Sequence, residues 1–431
     1  MKIKFAHLAD CHLGAWRNEN LNQIGYKAFE TTIDKIIEEN VDFVVISGDL
    51  FDVSNPKVDV IDLSVRELKR LKDNGIPVYG IMGSHDFSPS DKSMIRPLIT
   101  AGLFVNISKS DYAEIDKIKL KFTQDPKTKI KITGLRARKR SLEIEDYEML
   151  DLKSLEEEKG IKIFVLHTLL SELKPIEFKD MKSAPKSLLP QGFDYYAGGH
   201  LHKTVPERLR DTETPLKVDE KIKIIYPGCL TPVNFRELEQ YKYGGFCIVS
   251  GEIDMDSQKS ELNVKFIPIK VKEVVPLFID CNNKSIAQAH ELLEKQIENI
   301  DFEDKVVSIR IFGTLSSGKT YELRTNEILQ KVKGKGAYEV LINKSALVSK
   351  EYRPISVPVG KTNEEIENTL IYEHAQKIKI KNISKKDIEN KIHNLLSLLG
   401  KEREEGTKVK EYNEDLLNNF NQIFQLEEEG E

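Results

Sequence analysis

The sequence of 431 residues predicts a layered α/β (α+β) fold, and three observations support this prediction. Short apolar runs of strand length alternate with helix-like segments through the first 250 residues or so, the pattern of strands and helices in separate layers. Several of these runs end directly at polar residues that can bind a metal ion. The composition then changes twice, so we expect a large domain at 1–270, a small α/β module at 271–362 and a helical segment at 363–431.

Five predicted strands share one design, in which an apolar run ends at candidate ligands. They are residues 2–9 before Asp10, 41–47 before Asp49, 76–82 before Ser84 and His85, 161–166 before His167, and 195–199 before His200. Ligand sites in α/β sheets gather beyond the carboxyl ends of the strands, where the following loops open into a crevice. The repetition therefore predicts that these side chains form one common site.

Helices are predicted from apolar side chains that recur at helical spacing. In the first domain they occupy residues 26–39, 57–72 and 92–103, and in the second module residues 285–298 and 325–332, between strands at 274–280, 305–312 and 337–343. The C-terminal segment contains two amphipathic pieces, 388–399 and 416–426. Such a pair buries little surface alone, so it either folds onto a partner helix or forms a hairpin packed on its own chain.

Composition and charge exclude several classes of protein. No run approaches the ~18–20 apolar residues of a membrane helix, and the first residues carry no basic leader, so we expect a cytoplasmic protein. The four cysteines form no CxxC pair, which predicts reduced thiols rather than disulfides or a zinc site. The net charge of -5 excludes a uniformly basic surface, so any nucleic-acid surface must be a local patch.

The polar residues at the strand ends include two pairs with metal-binding spacing. Asp10 and His12 lie two residues apart, as do His200 and His202, and residues at this spacing share a face. Asp49 offers a carboxylate that can bridge two ions. Carboxylate oxygens with neutral imidazoles suit Mn²⁺, Fe²⁺ or Zn²⁺, and the lack of cysteine ligands argues against a structural zinc. Two ions about 3.5–4 Å apart can assist in-line displacement at phosphorus.

Taken in order, these motifs resemble the signature motifs of calcineurin-like phosphoesterases. They are DxH at 10–12, GDxxD at 48–52, GSHD at 83–86, His167 and GHxH at 199–202. The longer segments FAHLADCHLG, ISGDLFD, YYAGGHLH and YPGCLTP resemble one branch, the Mre-eleven repair nucleases of archaea and eukaryotes, whose bacterial counterpart is SbcD. The resemblance is strong over about residues 1–250. It implies a β-sandwich flanked by helices, followed by a capping domain.

The resemblance also implies a role for each motif residue. Asp10, His12, Asp49 and His202 would hold one metal ion, and Asp49, Ser84, His167 and His200 would hold the other. His85 would contact the scissile phosphate and help protonate the leaving oxygen, and Asp52 would orient His85 by hydrogen bonding. Ser84 departs from the family, which has asparagine at this position. Because a hydroxyl is a shorter and weaker ligand, we expect a looser second metal site that requires more Mn²⁺.

The function implied is that of a Mn²⁺-dependent DNA exonuclease and endonuclease acting at broken ends in double-strand-break repair. It implies two Mn²⁺ ions, a homodimer formed through residues 57–72 and 92–103, and a Rad-fifty/SbcC-type ABC ATPase bound by residues 370–431. The alternative that the helices at 57–72 and 92–103 only cover the sheet remains open. The implied location is the nucleoid of a prokaryotic cytoplasm. Two alternatives remain open: a phosphodiesterase acting on small nucleotides, and a weakly catalytic scaffold that binds DNA ends.

Two further patterns have both a functional and a purely structural interpretation. Residues 313–320 match GxxxxGK[ST], but the residues that follow alternate like a strand, so we expect a turn instead of a nucleotide site. A basic cluster is either a solvated loop or a surface that follows DNA phosphates beside the site. The candidates for DNA binding are Arg136, Arg138, Lys139 and Arg140, together with Arg236.

Overall fold

The computed structural model describes residues 1–88, 93–114, 117–350, 363–378, 384–400 and 409–424. The chain divides into two units, Met1–Ser349 and Lys350–Glu431. The domain boundary predicted at residue 270 lies inside the first unit, and the boundary predicted at residue 362 lies outside the described residues.

The first unit has strands and helices that alternate along the chain. Its strands are β1 (Lys2–Leu8), β2 (Phe43–Ser47), β3 (Val78–Ile81), β4 (Val105–Asn106), β5 (Ser110–Glu114), β6 (Lys117–Leu120), β7 (Thr123–Gln124), β8 (Lys131–Leu135), β9 (Lys162–His167), β10 (Tyr195–Gly199), β11 (Leu216–Lys217), β12 (Ile224–Ile225), β13 (Gly244–Asp254), β14 (Lys259–Ile269), β15 (Val274–Asp280), β16 (Val306–Leu315) and β17 (Glu339–Ser349). Its helices are α1 (Glu19–Glu38), α2 (Val58–Asp73), α3 (Ile95–Thr100), α4 (Glu143–Glu148), α5 (Leu152–Glu156), α6 (Arg208–Asp211), α7 (Phe235–Tyr241), α8 (Ile286–Glu298) and α9 (Thr325–Gly334).

Two sheets form the centre of the first unit. The seven-stranded sheet has the order β11-β14-β13-β1-β2-β3-β4, and the five-stranded sheet has the order β12-β10-β9-β8-β7. Strands β1 to β4 run parallel to one another, as do β8, β9, β10 and β12. The predicted layered α/β fold is therefore confirmed, with helices outside the paired sheets.

Alternating side chains of the central strands fill two separate cores. In β2, Phe43 and Val45 lie in the core between the two sheets, whereas Val44 and Ile46 lie in the core beneath the helices. A strand buried on both faces is apolar along its whole length, which is why these strands appear in the sequence as continuous apolar runs. The parallel strands thereby hold the loops after β1, β2, β3, β9 and β10 at one edge.

Helix α1 begins earlier than the sequence predicts. Its N-cap is Asn18, whose side chain accepts a hydrogen bond from the amide of Leu21. The apolar spacing that predicted a helix from residue 26 belongs to its second half, where Phe29 and Ile33 are buried. The first turns are mostly polar because they cover less of the core, so periodicity alone does not locate the start.

The second module is a three-stranded parallel sheet, β15-β16-β17, with α8 and α9 in contact with it. Its helices and β15 lie where the sequence predicts them, whereas β16 and β17 continue to Leu315 and Ser349, beyond the predicted ends at residues 312 and 343. Ser285 caps α8 with a capping box. Residues 320–322 form a short 3₁₀ turn and α9 begins only at Thr325. The GxxxxGK[ST] match at 313–320 therefore does not lead directly into a helix, in agreement with the predicted turn.

The second unit contains α10 (Asn363–Lys377), α11 (Lys385–Leu399) and α12 (Val409–Phe424) among its described residues. Helix α11 is capped by Ser384, and Leu399 of α11 and Leu417 of α12 are each 62% exposed. Most of the predicted charged linker, residues 401–408, and the acidic end, residues 425–431, lie outside the described residues. Across the described helices, none combines the length and apolar character of a membrane span. The four cysteines are free and buried.

Candidate metal centre

The loops that follow the parallel strands bring the predicted ligands together. Two clusters have ligand atoms that all lie within 4.8 Å of one another: Asp10 with His12 and His202, and Asp49 with His167 and His200. Seven candidate metal-binding residues were predicted from sequence; these clusters contain six of them, and Ser84 lies beside Asp49. The carboxyl ends of the strands thus form one site from residues that are up to 192 positions apart in sequence.

Several of these residues have a backbone conformation that residues other than glycine rarely adopt. The φ angles of Asp10, His12, Asp49 and His200 are 49°, 43°, 50° and 85°, all in the left-handed region. Such a conformation costs on the order of 1–3 kcal/mol per residue and persists only where the surrounding structure enforces it. Here the turns aim carboxylate and imidazole groups back towards the strand ends, so the strain is concentrated at the candidate site.

Three of the imidazoles are held by hydrogen bonds at Nδ1. The partners are the main-chain carbonyl of Ser47 for His167 (2.7 Å), the carboxylate of Glu237 for His202 (2.9 Å), and the carboxylate of Asp52 for His12 (3.1 Å). Each acceptor favours the tautomer with hydrogen on Nδ1, which leaves the Nε2 lone pair available to a metal ion. The three rings are therefore oriented as metal-binding histidines are.

The Nε2 atoms converge in a way that fits divalent cations. Nε2 of His12 and Nε2 of His202 are 3.0 Å apart, and Nε2 of His167 is 3.0 Å from Oδ2 of Asp49. Nε2 of His167 is buried and faces that Asp49 oxygen. Buried polar atoms are nearly always satisfied, so imidazoles that face one another and a carboxylate are arranged for an ion between them.

Burial and mutual charge shift the pKa values of these groups. Burial alone would lower the pKa of His167, but the Asp49 carboxylate, with Asp10 and the Ser47 carbonyl, raises it to about 10. Burial lowers the pKa of His200 to about 3, so its imidazole is neutral at pH 7. A cation that ligates Asp49 and His167 would replace the proton that this pair holds.

His85 and Asp52, the predicted catalytic pair, lie next to the clusters. Nδ1 of His85 donates to the main-chain carbonyl of Asp52 at 2.6 Å, and His85 is exposed. The predicted hydrogen bond between the two residues is therefore made by the backbone of Asp52, because its carboxylate contacts His12 instead. Asp52 consequently orients two imidazoles, one in a metal cluster and one at the rim.

Two carboxylates have supporting roles that the sequence did not predict, although Asp86 belongs to the GSHD motif at 83–86. Asp86 is buried and accepts hydrogen bonds from the amides of Gly83 (2.8 Å) and Phe51 (3.0 Å), which joins the loops after β3 and β2. Burial, with the nearby Asp49 charge, raises the pKa of Asp86 to about 7. Glu237 supports His202. In the sequence, Glu237 lies three residues after the N-cap Asn234, a pattern that predicts helix capping and no contact with a metal ligand.

Comparison with known proteins identifies the family. The calcineurin-like phosphoesterase profile matches residues 3–204, a range that contains all the candidate metal ligands. The relative named DNA double-strand break repair protein Mre11 from Methanocaldococcus jannaschii is 30% identical over 305 residues, which are 66% of this chain and 75% of that protein. The chain belongs to the Mre-eleven (Mre11) family.

Two further Mre11 proteins extend the similarity along the chain. The Sulfurisphaera tokodaii protein is 29% identical over 391 residues, 88% of this chain and 89% of its own length. The Methanococcus maripaludis protein is 27% identical over 308 residues, 71% of this chain and 73% of its own length. Both carry the name DNA double-strand break repair protein Mre11. As a member of the Mre11 family, this chain is a metal-dependent phosphoesterase.

The predicted DNA-binding residues lie in two places. Arg136 and Arg138 follow β8; the guanidinium of Arg136 is 5.5 Å from the ring centroid of Phe87, and Arg138 pairs with Asp146 at 2.9 Å. Lys139 and Arg140 come next and are exposed, while Arg236 lies on α7 and lines a cavity of about 340 Å³ that also contains His200 and His202. Arg236 is thus beside the candidate metal centre.

We expect that Ser84→Asn lowers the Mn²⁺ concentration needed for half-maximal activity several-fold. The Ser84 hydroxyl donates to the Asp49 carboxylate at 3.4 Å, whereas an asparagine oxygen extends further and is a stronger ligand for a hard cation. The measurement is a Mn²⁺ titration of phosphoesterase activity for both proteins, with Ser88→Asn as a control outside the clusters. Identical half-saturation in wild type and Ser84→Asn would contradict the prediction.

Proposed function

We propose that this protein is a two-metal, Mn²⁺-dependent DNA exonuclease and endonuclease that hydrolyses phosphodiester bonds at DNA ends in double-strand-break repair. One observation carries the proposal: two ligand clusters lie side by side at the strand ends, with Asp49 close to both. Oδ2 of Asp49 is 3.0 Å from Nε2 of His167 in its own cluster and 3.8 Å from Nε2 of His12 in the other. That arrangement supports two ions that share one bridging carboxylate.

The donor atoms support manganese as the metal. Both clusters offer only carboxylate oxygens and imidazole nitrogens, a set that suits Mn²⁺, Fe²⁺ or Zn²⁺ in a catalytic site. When bound, such a pair of ions stabilises the charge that develops on the phosphate and activates the attacking water. Asp10, His12, Asp49 and His202 would hold one ion, and Asp49, Ser84, His167 and His200 would hold the other.

His85 has the position of a proton donor to the leaving oxygen. Its Nδ1 is fixed on the Asp52 carbonyl, so Nε2 is the atom that can contact a substrate. A positioned imidazole of this kind contributes typically 10²–10⁴-fold to the rate by general acid catalysis. Because His85 is exposed, it can meet a phosphodiester that is part of a long polymer.

Three features favour DNA over a small nucleotide as the substrate. The named relatives are DNA double-strand break repair proteins, and their similarity extends beyond the phosphoesterase region. The exposed Lys139 and Arg140, with Arg136, Arg138 and Arg236, can contact DNA phosphates on either side of the cleavage point. The second module, proposed as a capping domain at 271–362, would grip the duplex next to the site.

The remaining partners follow from the same assignment. Exposed leucines on α11 and α12 support residues 370–431 as the segment that binds a Rad-fifty/SbcC-type ATPase, since an amphipathic helix pair gains most from a partner helix. Helices α2 and α3 are proposed to form a homodimer interface. The resulting complex would act in the cytoplasm, in association with the nucleoid.

The test is cleavage of linear plasmid DNA with Mn²⁺ by wild type and by His85→Ala. We expect wild type to shorten the DNA and the variant to lose about 10²–10⁴-fold in rate. His393→Ala, on α11, is the matched control and should retain full activity. Cleavage of small phosphodiesters alone by wild type would favour a nucleotide phosphodiesterase, and an absence of any turnover would favour a scaffold; either result would overturn the proposal.

A further inference from the structure

Helix α7 carries two carboxylates that point to opposite sides and have different partners. Oε1 of Glu237 is 2.9 Å from Nδ1 of the candidate ligand His202. Glu239 contacts Arg310, which lies in β16 of the second module. Residues two apart on a helix are about 200° apart around its axis. The same short helix therefore contacts the metal centre on one side and the second module on the other.

The pair of Glu239 and Arg310 is bidentate, with Glu239 buried and Arg310 half-buried. Nη2 and Nε of Arg310 lie 2.6 and 2.9 Å from Oε2 of Glu239, and Nε lies 3.0 Å from Oε1. The Glu239 side chain is 4% exposed, and the guanidinium of Arg310 is 5.2 Å from the ring centroid of Phe235, also on α7. A guanidinium that binds both oxygens of a carboxylate fixes the direction of that carboxylate as well as its distance. Arg310 therefore defines the orientation of α7.

A second contact joins the module to the loop that carries the other ligands of the same cluster. Glu339 of β17 is 4% exposed and accepts hydrogen bonds from the side chains of Asn18 (3.0 Å) and Asn20 (2.9 Å). Asn18 caps α1, directly after the loop of Asp10 and His12. The two contacts therefore join the module to segments linked to one cluster, that of Asp10, His12 and His202: α1 follows the loop of Asp10 and His12, and α7 contacts His202 through Glu237.

We propose that Arg310 is a positioning residue that couples the second module to this metal cluster through α7. This proposal rests on the proposed two-metal function. It assigns a role at the metal site to Arg310, which lies far from the candidate ligands in sequence. Helix α7 has only seven residues, and a helix of that length has little stability of its own. Its position, and with it the Glu237 support of His202, is therefore set by its anchors, of which the Arg310 pair is one.

The coupling is selective and reciprocal. Loss of Arg310 leaves the Glu239 carboxylate buried without its cation, so α7 shifts to rehydrate it and His202 loses its fixed orientation. The cluster of Asp49, His167 and His200 is supported by the Ser47 carbonyl in β2 instead, so it should respond less. The attachment of the module strengthens binding of an ion to Asp10, His12 and His202 by some factor. By linkage, binding of that ion must strengthen the attachment of the module by the same factor.

The test uses the full-length protein and measures Mn²⁺ binding by calorimetry and by electron paramagnetic resonance. Wild type should bind two ions, and Arg310→Met should bind one of them about fivefold or more weakly, with the other unchanged. Lys331→Met is the matched control, because Lys331 pairs with Glu294 on the exposed surface of the same module. Arg310→Lys, which keeps the charge but loses the fork, should give an intermediate affinity and provides a second test if Arg310→Met folds poorly.

Hydrogen exchange supplies a readout that is independent of activity. In wild type, Mn²⁺ should slow exchange in residues 235–241 and 306–315, and in Arg310→Met this protection should be lost. The charge exchange Glu239→Arg with Arg310→Glu should restore part of it. Equal Mn²⁺ affinities and equal protection in wild type and Arg310→Met would overturn the coupling while leaving the proposed function intact. A wild type that binds no Mn²⁺ would overturn both.

Discussion

Asp49→Asn is expected to lose about 10³-fold or more in phosphodiester cleavage and to bind both Mn²⁺ ions more weakly. The carboxylate of Asp49 lies close to one imidazole in each cluster, and it also accepts the amide of His85 at 2.7 Å. The asparagine amide carries no charge to offset two cations, so transition-state stabilisation should fall by several kcal/mol. A loss of that size corresponds to a rate about 10³-fold lower. Cleavage rate and bound metal per chain should be measured on the same preparation.

The control for this change is Glu220→Gln, which removes a carboxylate that is 87% exposed between β11 and β12. It should leave both the rate and the bound metal unchanged. If Asp49→Asn kept two ions and a rate within tenfold of wild type, Asp49 could not be the residue that bridges the site.

Gly199→Ala should destabilise the first unit by about 3 kcal/mol or more and disorganise the metal centre. A Cβ at this position would lie 2.0 Å from the main-chain oxygen of Ser47 and 2.9 Å from Nδ1 of His167. These two atoms are hydrogen-bonded to each other, so the methyl group would separate the two sheets at the strand ends. Urea unfolding followed by the fluorescence of Trp16, the single tryptophan, measures the loss.

Gly334→Ala is the control for that substitution. Gly334 ends α9, has no heavy atom within 4 Å of an added Cβ, and is in a helix where alanine is favoured. It should be neutral or stabilising by up to ~1 kcal/mol. Equal unfolding midpoints for wild type and Gly199→Ala would show that the strand ends have more room than the contacts indicate.

The fold and the candidate ligands could be predicted because both rest on local pattern. Strands such as β2 are apolar throughout since both faces are covered, and each parallel strand delivers its next residues to the same edge. Spacing of two residues places Asp10 and His12 in one cluster, whereas His200 and His202, at the same spacing, lie in different clusters. The approximate positions of the strands and helices between residues 274 and 349 were predictable for the same reason.

Contacts between distant segments could not be predicted in this way. Glu237 lies 35 residues after His202 and is marked in sequence only as a capping residue. The Asp52 carbonyl, instead of its carboxylate, holds His85, and no side-chain pattern reports on a main-chain acceptor. The left-handed conformations at Asp10 and Asp49 likewise depend on how the loops pack together. These features arise from tertiary structure, which a single sequence does not encode by periodicity.

Anomalous diffraction from crystals of the protein grown with Mn²⁺ would show directly whether two metal ions bind at these strand ends. We expect two peaks per chain, one among Asp10, His12 and His202 and one among Asp49, His167 and His200, separated by about 3.5–4 Å. The peak next to Ser84 should have the lower occupancy at limiting Mn²⁺. A single peak, or peaks away from both clusters, would contradict a two-metal centre at the ends of these strands.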